Sequence, residues 1–254
     1  MLVYKKYGSG EKFMLAFHGF GGSHKDFEVF LPALSDYSVY SFDLWHHGQS
    51  EYNGPPLDRN EFEQNFQAFL AKHKMFRFSL MGYSMGGRIC LELVETFPGK
   101  IDEVFLFAPD GLRRNLLYRF STRTILGNYL FRRVNRDASI FFKGAEFFAK
   151  IGILDSKIKD FVVKQMGTQE RREKVYNTWR TTSRLWPTLK QVAENIVRYK
   201  IKLTIVMGER DKVIRKEWAK KLTCYFPDTF SVLKVVDAGH KLQTEEVRKE
   251  IWGI

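Results

Sequence analysis

Between an apolar run and an amphipathic stretch stands Gly82-Tyr83-Ser84-Met85-Gly86-Gly87. A serine at such a junction sits on a sharp turn. The glycines around it let strand and helix approach closely, so the hydroxyl is presented clear of both. The following helix places unpaired N–H groups and the positive end of a dipole beside Ser84, which favours developing negative charge there. A serine hydroxyl is a weak nucleophile at neutral pH and needs a base, itself oriented by a carboxylate. Asp211 follows the apolar run Lys202 to Met207, and His240 follows Phe230 to Val236, in the order Ser, Asp, His. Such a set serves attack on an acyl carbon. The resulting oxyanion needs donors, assigned to the N–H of Phe20 in the turn Gly19-Phe20-Gly21-Gly22 and to that of Met85. Each such donor is commonly worth on the order of 3 kcal/mol.

Ser84, Asp211 and His240 meet only if the elements before them share one sheet. The near-continuous apolar runs Lys12 to Phe17, Tyr37 to Phe42, Phe76 to Met81, Glu103 to Phe107, Lys202 to Met207 and Phe230 to Val236 read as strands buried on both faces. Helical patterns lie at Leu57 to Lys74, Met85 to Phe97, Arg215 to Phe226 and Gln243 to Trp252. Alternation of this kind predicts an α/β fold with a mostly parallel, twisted sheet covered by helices. The three residues then fall at carboxyl ends of strands, where open α/β sheets place their sites.

Of 254 residues, 41 are Lys or Arg and 29 Asp or Glu, a net charge of +12. The excess is local: Gly111 to Lys200 holds 20 basic and 7 acidic residues, a net of +13. This middle has few strand signals and carries Phe141, Phe142, Ala145, Phe148 and Ala149 at helical spacing. It reads as a helical insertion over 111–199, between core segments 1–110 and 200–254.

Several classes are disfavoured. The 23 Phe, 11 Tyr and 5 Trp argue against disorder, and charged residues interrupt every apolar run before bilayer length. Two cysteines, Cys90 and Cys224, build no disulfide framework, and the opening residues lack the apolar run of a secretory signal, so a cytoplasmic location is expected. Cys90 reads as a small packing residue. His18, His46 and His47 lack metal-ligand spacing and read as braces of turns. No metal or organic cofactor is called for, and no aromatic-basic motif points to nucleic acid.

The strings His18 to Gly22, Asp43-Leu44-Trp45-His46-His47-Gly48-Gln49-Ser50, Gly82 to Gly87, Gly208-Glu209-Arg210-Asp211 and Ala238-Gly239-His240 together resemble the α/β-hydrolase superfamily, in its serine-nucleophile branch. They span nearly the whole chain in the superfamily's order. The resemblance implies that the inserted helices are a cap domain over the site. One departure is His46, where relatives commonly carry glycine.

The expected activity is serine hydrolysis of an ester, thioester or related small acyl substrate through an acyl-enzyme. Asp110, in Ala-Pro-Asp-Gly before the insertion, is the alternative triad acid, since some members of the fold take it from that strand. Arg88, a cation on the first turn of its helix, needs either a core carboxylate or an anionic substrate. With Tyr83 it is assigned to substrate binding. The string Gly82 to Arg88 also resembles the elbow of the menaquinone-pathway synthase of this superfamily, so carbon–carbon cleavage or elimination is a second reading. A third, of another class, is a non-catalytic protein that uses its basic cap to bind a partner or a membrane surface. Cap arginines such as Arg113, Arg114, Arg119 or Arg123 would attract anionic acyl substrates, with peripheral membrane contact the competing use of the charge. Oligomeric state is not legible.

Overall fold

The computed structural model of the chain describes residues 2–113, 115–139, 142–143, 146 and 166–254. Arg114, Phe141, Ala145, Phe148 and Ala149 lie outside them. Two compact units are present.

The first unit comprises Met1–Tyr52, Asp58–Arg113 and Leu185–Ile254. It holds a seven-stranded sheet of β1 (Tyr4–Tyr7), β2 (Lys12–Phe17), β3 (Tyr37–Phe42), β4 (Phe78–Tyr83), β5 (Ile101–Phe107), β6 (Lys202–Gly208) and β7 (Ser231–Val236), in the order β1-β3-β2-β4-β5-β6-β7. Only β1 is antiparallel to its neighbour, with Tyr4 opposite Phe42. The other pairs are parallel. Six of these strands follow the apolar runs of the sequence. The seventh, β1, went unrecognised because its Lys5 and Lys6 give it the charged, half-exposed character of an edge.

Register shows how the sheet is covered. Phe17 pairs with both Phe42 and Gly82, and Gly82 pairs with Leu106, so these residues share one face. On that face Phe17 and Phe42 stack at 5.1 Å and meet Phe66 of α1 (Arg59–Lys72). Phe105 and Phe107, one pleat away from Leu106, point the opposite way. They meet Trp252 of the helix Glu245–Trp252, and Phe107 stacks on Phe30 at 4.9 Å. Helices therefore cover both faces. In α1, Phe62, Phe66, Phe69 and Leu70 recur at helical spacing and are buried, and the Asp58 carboxylate accepts the Glu61 N–H at its start.

The second unit comprises Asn53–Leu57 and Arg114–Arg184. Its described helices are α3 (Leu116–Arg123), α4 (Ile125–Arg136) and the helix Gln169–Thr181. The side chains of Asn115, Thr124 and Thr168 cap them. Tyr118, Phe131, Tyr176 and Trp179 pack edge to face or tilted, with ring centroids 5.0 to 5.4 Å apart. The unit carries 16 basic and 6 acidic residues, a net of +10.

These units divide the chain at 114 and 184, whereas the sequence reading set the insertion at 111–199. The helix Leu189–Tyr199 belongs to the first unit. It buries Val192, Ala193 and Ile196, and its Asn195 amide donates to the Val94 carbonyl at 3.1 Å.

Candidate active site

Ser84 directly follows β4, Asp211 lies three residues beyond β6, and His240 four beyond β7. Because these strands are parallel, all three stand at one edge of the sheet. Ser84 takes φ 50 and ψ −114, a conformation costing a non-glycine residue on the order of 1 to 3 kcal/mol. Hydrogen bonds hold it there. Its N–H donates to Phe107 at 2.9 Å, and its carbonyl accepts the N–H groups of Gly87 and Asp110. The helix α2 (Met85–Thr96) begins at the next residue. It can do so only because Gly86 lacks a side chain: a Cβ there would stand 1.8 Å from the Phe17 carbonyl oxygen.

One Asp211 oxygen accepts the N–H groups of Val213 at 2.7 Å and Ile214 at 3.0 Å. The other lies 2.7 Å from His240 Nδ1. On the far side of the ring, His240 Nε2 lies 3.2 Å from Ser84 Oγ. With Nδ1–H donating to the carboxylate, the Nε2 lone pair faces the hydroxyl proton. The geometry can therefore remove that proton and stabilise the imidazolium that results.

Phe20 lies in a turn closed by the Gly22 N–H on the Gly19 carbonyl at 3.1 Å. Met85 is the first residue of α2, so no carbonyl of its own helix can accept its N–H. The turn is braced from beneath. Buried His18 accepts the Leu44 N–H at Nε2, which leaves Nδ1–H to donate to Gly19 O at 2.6 Å. Asp43 is fully buried, and burial by itself would raise its pKa. Hydrogen bonds from Gln49 N–H, His24 N–H and the His24 ring hold it below the usual carboxylate range instead.

A profile described as alpha/beta hydrolase fold matches residues 12–151. The chain belongs to the α/β hydrolase fold family. It is 25% identical to Lipase 1 of Psychrobacter immobilis over 250 residues, covering 94% of this chain and 74% of the lipase. Among solved structures, MenH from S. aureus is 22% identical with a TM-score of 0.69, covering 98% of this chain and 96% of that one. A thermophilic esterase from Thermogutta terrifontis is 16% identical with a TM-score of 0.69, over 98% and 91%.

In this α/β hydrolase, the two residues assigned to substrate binding, Arg88 and Tyr83, both meet protein groups. Arg88 is only 2% exposed. Its Nε lies 3.6 Å from Asp110 Oδ2, and its guanidinium stacks 5.0 Å above the Trp186 ring. The core carboxylate that a cation on the first turn of α2 required is thus Asp110. Asp110 is thereby spoken for. Its other oxygen accepts the Gly111 N–H at 2.7 Å, whereas the carboxylate hydrogen-bonded to His240 is that of Asp211. Tyr83 turns its hydroxyl to the His240 carbonyl at 3.0 Å, so it holds the histidine's own backbone.

His46, the departure from the usual glycine, adopts φ +64, the conformation a glycine would take at about 1 kcal/mol less strain. Its N–H donates to Ser50 O at 2.9 Å, and that turn keeps the loop closed. Farther along α2, Glu92 is buried beside Arg59, whose guanidinium also bonds both oxygens of Glu95. Burial pushes the Glu92 carboxyl up to about 7, against the pull of Arg59. Nothing in the local sequence marked this group, because its burial comes from elements distant in the chain.

Proposed function

We propose that this chain is a serine hydrolase of carboxylic esters, thioesters or related acyl compounds. The observation that carries the reading is the continuous array from Asp211 Oδ2 through His240 Nδ1 and Nε2 to Ser84 Oγ, at 2.7 and 3.2 Å. His240 Nε2 takes the hydroxyl proton as Ser84 Oγ bonds to the carbonyl carbon. The carbonyl electrons move onto oxygen, where the N–H groups of Phe20 and Met85 receive the charge. Collapse of the tetrahedral intermediate expels the leaving group, which takes the proton from His240. A water molecule, deprotonated by the same Nε2, then attacks the acyl-serine, and the acid product leaves with Ser84 restored. Asp211 keeps its negative charge throughout and fixes the imidazole tautomer.

Of the arginines that would attract an anionic acyl substrate, two have protein partners of their own. Arg113 stacks on the Trp218 ring at 5.2 Å, and the Arg123 guanidinium donates twice to the Ser183 carbonyl.

The test is to treat wild type and Ser84→Ala with a fluorophosphonate probe and a panel of short-chain aryl esters. Labelling and turnover by the wild type alone are expected. A wild type that neither labels nor turns over any ester overturns the reading. Labelling without ester turnover moves it to carbon–carbon cleavage or elimination on the same residues.

A further inference from the structure

We propose that the corner formed by α3 and α4 is a docking surface for an anionic phospholipid bilayer. The two helices bury one side, through Tyr118 and Ser121 on α3 and Gly127 and Phe131 on α4. Solvent-facing positions opposite such a stripe ordinarily carry polar residues. Here seven of them are large and apolar. On α3, Leu116 is 78% exposed, and Leu117 and Phe120 are exposed beside it. On α4, Ile125 is 95% exposed, and Leu126, Tyr129 and Leu130 continue the surface. A run of large apolar side chains meeting water on two adjoining helices is uncommon on a protein that contacts nothing there.

The charge around this surface selects the occupant. From Gly111 to Arg136 the chain contains no Asp or Glu. Arg119 on α3 and Arg132, Arg133 and Arg136 on the last turns of α4 are exposed. At 100° per residue, Ile125, Tyr129, Arg132 and Arg136 share one exposed strip of α4, with the apolar members on the first turns and the cations on the last. A helix pair of this kind lies in a bilayer interface, its apolar side chains among the acyl boundary and its arginines at lipid phosphates. The same arginines oppose self-association, since a twofold contact through the corner would bring like charges together. Five of the seven exposed apolar side chains are leucine or isoleucine, and only Phe120 and Tyr129 offer a stacking plane to nucleic acid bases. No described helix is long and apolar enough to cross a membrane, so contact here is with the surface.

This inference is independent of the hydrolase reading, because its test needs no turnover. The whole chain is pelleted with sucrose-loaded vesicles of phosphatidylcholine and phosphatidylglycerol in equal parts, and with vesicles of phosphatidylcholine alone. The wild type is expected to pellet with the mixed vesicles at low salt and to be released by high salt. Arg132→Gln and Arg133→Gln are each expected to weaken partitioning about fivefold. Ile125→Ser with Leu126→Ser weakens it about tenfold or more, with an unchanged thermal melt because both side chains are already in water. Absence of pelleting by the wild type overturns the proposal. So does binding that the arginine variants lose and the Ile125 and Leu126 pair retains, since that is attraction without insertion. A wild-type dimer in sedimentation that the apolar pair converts to monomer, with no vesicle binding, assigns the corner to a second copy of the chain instead.

Discussion

The Tyr83 hydroxyl donates to the main-chain carbonyl of His240 at 3.0 Å, with the two rings 5.3 Å apart. The residue immediately before the proposed nucleophile thus holds the backbone of the proposed base. Burial raises the phenol's pKa above its ordinary value, so the donated proton stays in place through neutral and mildly alkaline pH. Tyr83→Phe removes one net hydrogen bond, worth roughly 1 kcal/mol. The expected outcome is a fall of about fivefold in kcat for an aryl ester with KM nearly constant. Steady-state kinetics decide it: a raised KM at unchanged kcat would return Tyr83 to the substrate.

The two candidate acids separate cleanly under substitution. Asp211→Asn leaves His240 without a carboxylate to fix its tautomer, and kcat is expected to fall about ten-thousand-fold. Asp110→Ala leaves the array from Asp211 to Ser84 intact but removes the carboxylate 3.6 Å from buried Arg88. Activity at low temperature should stay within a few fold, while the unfolding free energy drops by about 2 kcal/mol. Denaturant melts and ester kinetics on both variants check the pair. Comparable losses of kcat would mean that Asp110 serves the histidine after all.

Glu92 makes stability depend on pH in the direction opposite to a salt-bridged surface acid. Burial raises its pKa from 4.5 to about 7 in the folded chain, so the native state holds the proton more tightly than the unfolded state does. Its contribution is greatest below about pH 4.5 and is lost as pH rises towards 7. Between pH 5 and pH 8 this group is expected to cost the wild type about 2 kcal/mol. Glu92→Gln, close in shape to the protonated acid, should match the wild type near pH 5 and exceed it at pH 8. Parallel denaturant titrations at the two pH values test this, and parallel curves for the two proteins at both would refute it.

How far the sequence could be read depended on where each signal resides. Strands buried on both faces announce themselves locally, so β2 to β6 stand where their apolar runs do. β7 also follows its run, but it is an edge strand that leaves Val232, Leu233 and Val235 exposed, not the doubly buried strand the run predicted. Ser84, Asp211 and His240 were legible for the same reason, each following such a run. Tyr4–Tyr7 pairs on one side only and carries two lysines, which masks it. The helix Leu189–Tyr199 was assigned to the insertion because Lys190, Arg198 and Lys200 share its charge, although packing of Val192, Ala193 and Ile196 decides its place. For Arg88, the cost of a cation on a first helical turn showed that a partner must exist. Which partner depended on the turn after β5 bringing Asp110 alongside α2, a relation between distant residues that local pattern does not contain.

Gly86 sets how closely α2 can approach the sheet, and with it the position of both Ser84 and the Met85 N–H. A Cβ there would stand 1.8 Å from the Phe17 oxygen, 2.4 Å from its carbonyl carbon and 2.8 Å from the His18 oxygen. These are backbone atoms of β2 and the residue after it, so no side-chain rotation relieves the contact. Gly86→Ala must therefore push α2 away from β2, at an expected cost of about 3 kcal/mol. Because the helix start carries the proposed oxyanion donor, fluorophosphonate labelling should slow by about a hundredfold in the protein that still folds. Gly239→Ala is the matched control beside the same site. A Cβ there meets nothing within 4 Å, and its φ is not positive, so stability should change by less than about 0.5 kcal/mol. Equal melting midpoints for the two alanine variants would show that the close approach at Gly86 is not what places the serine.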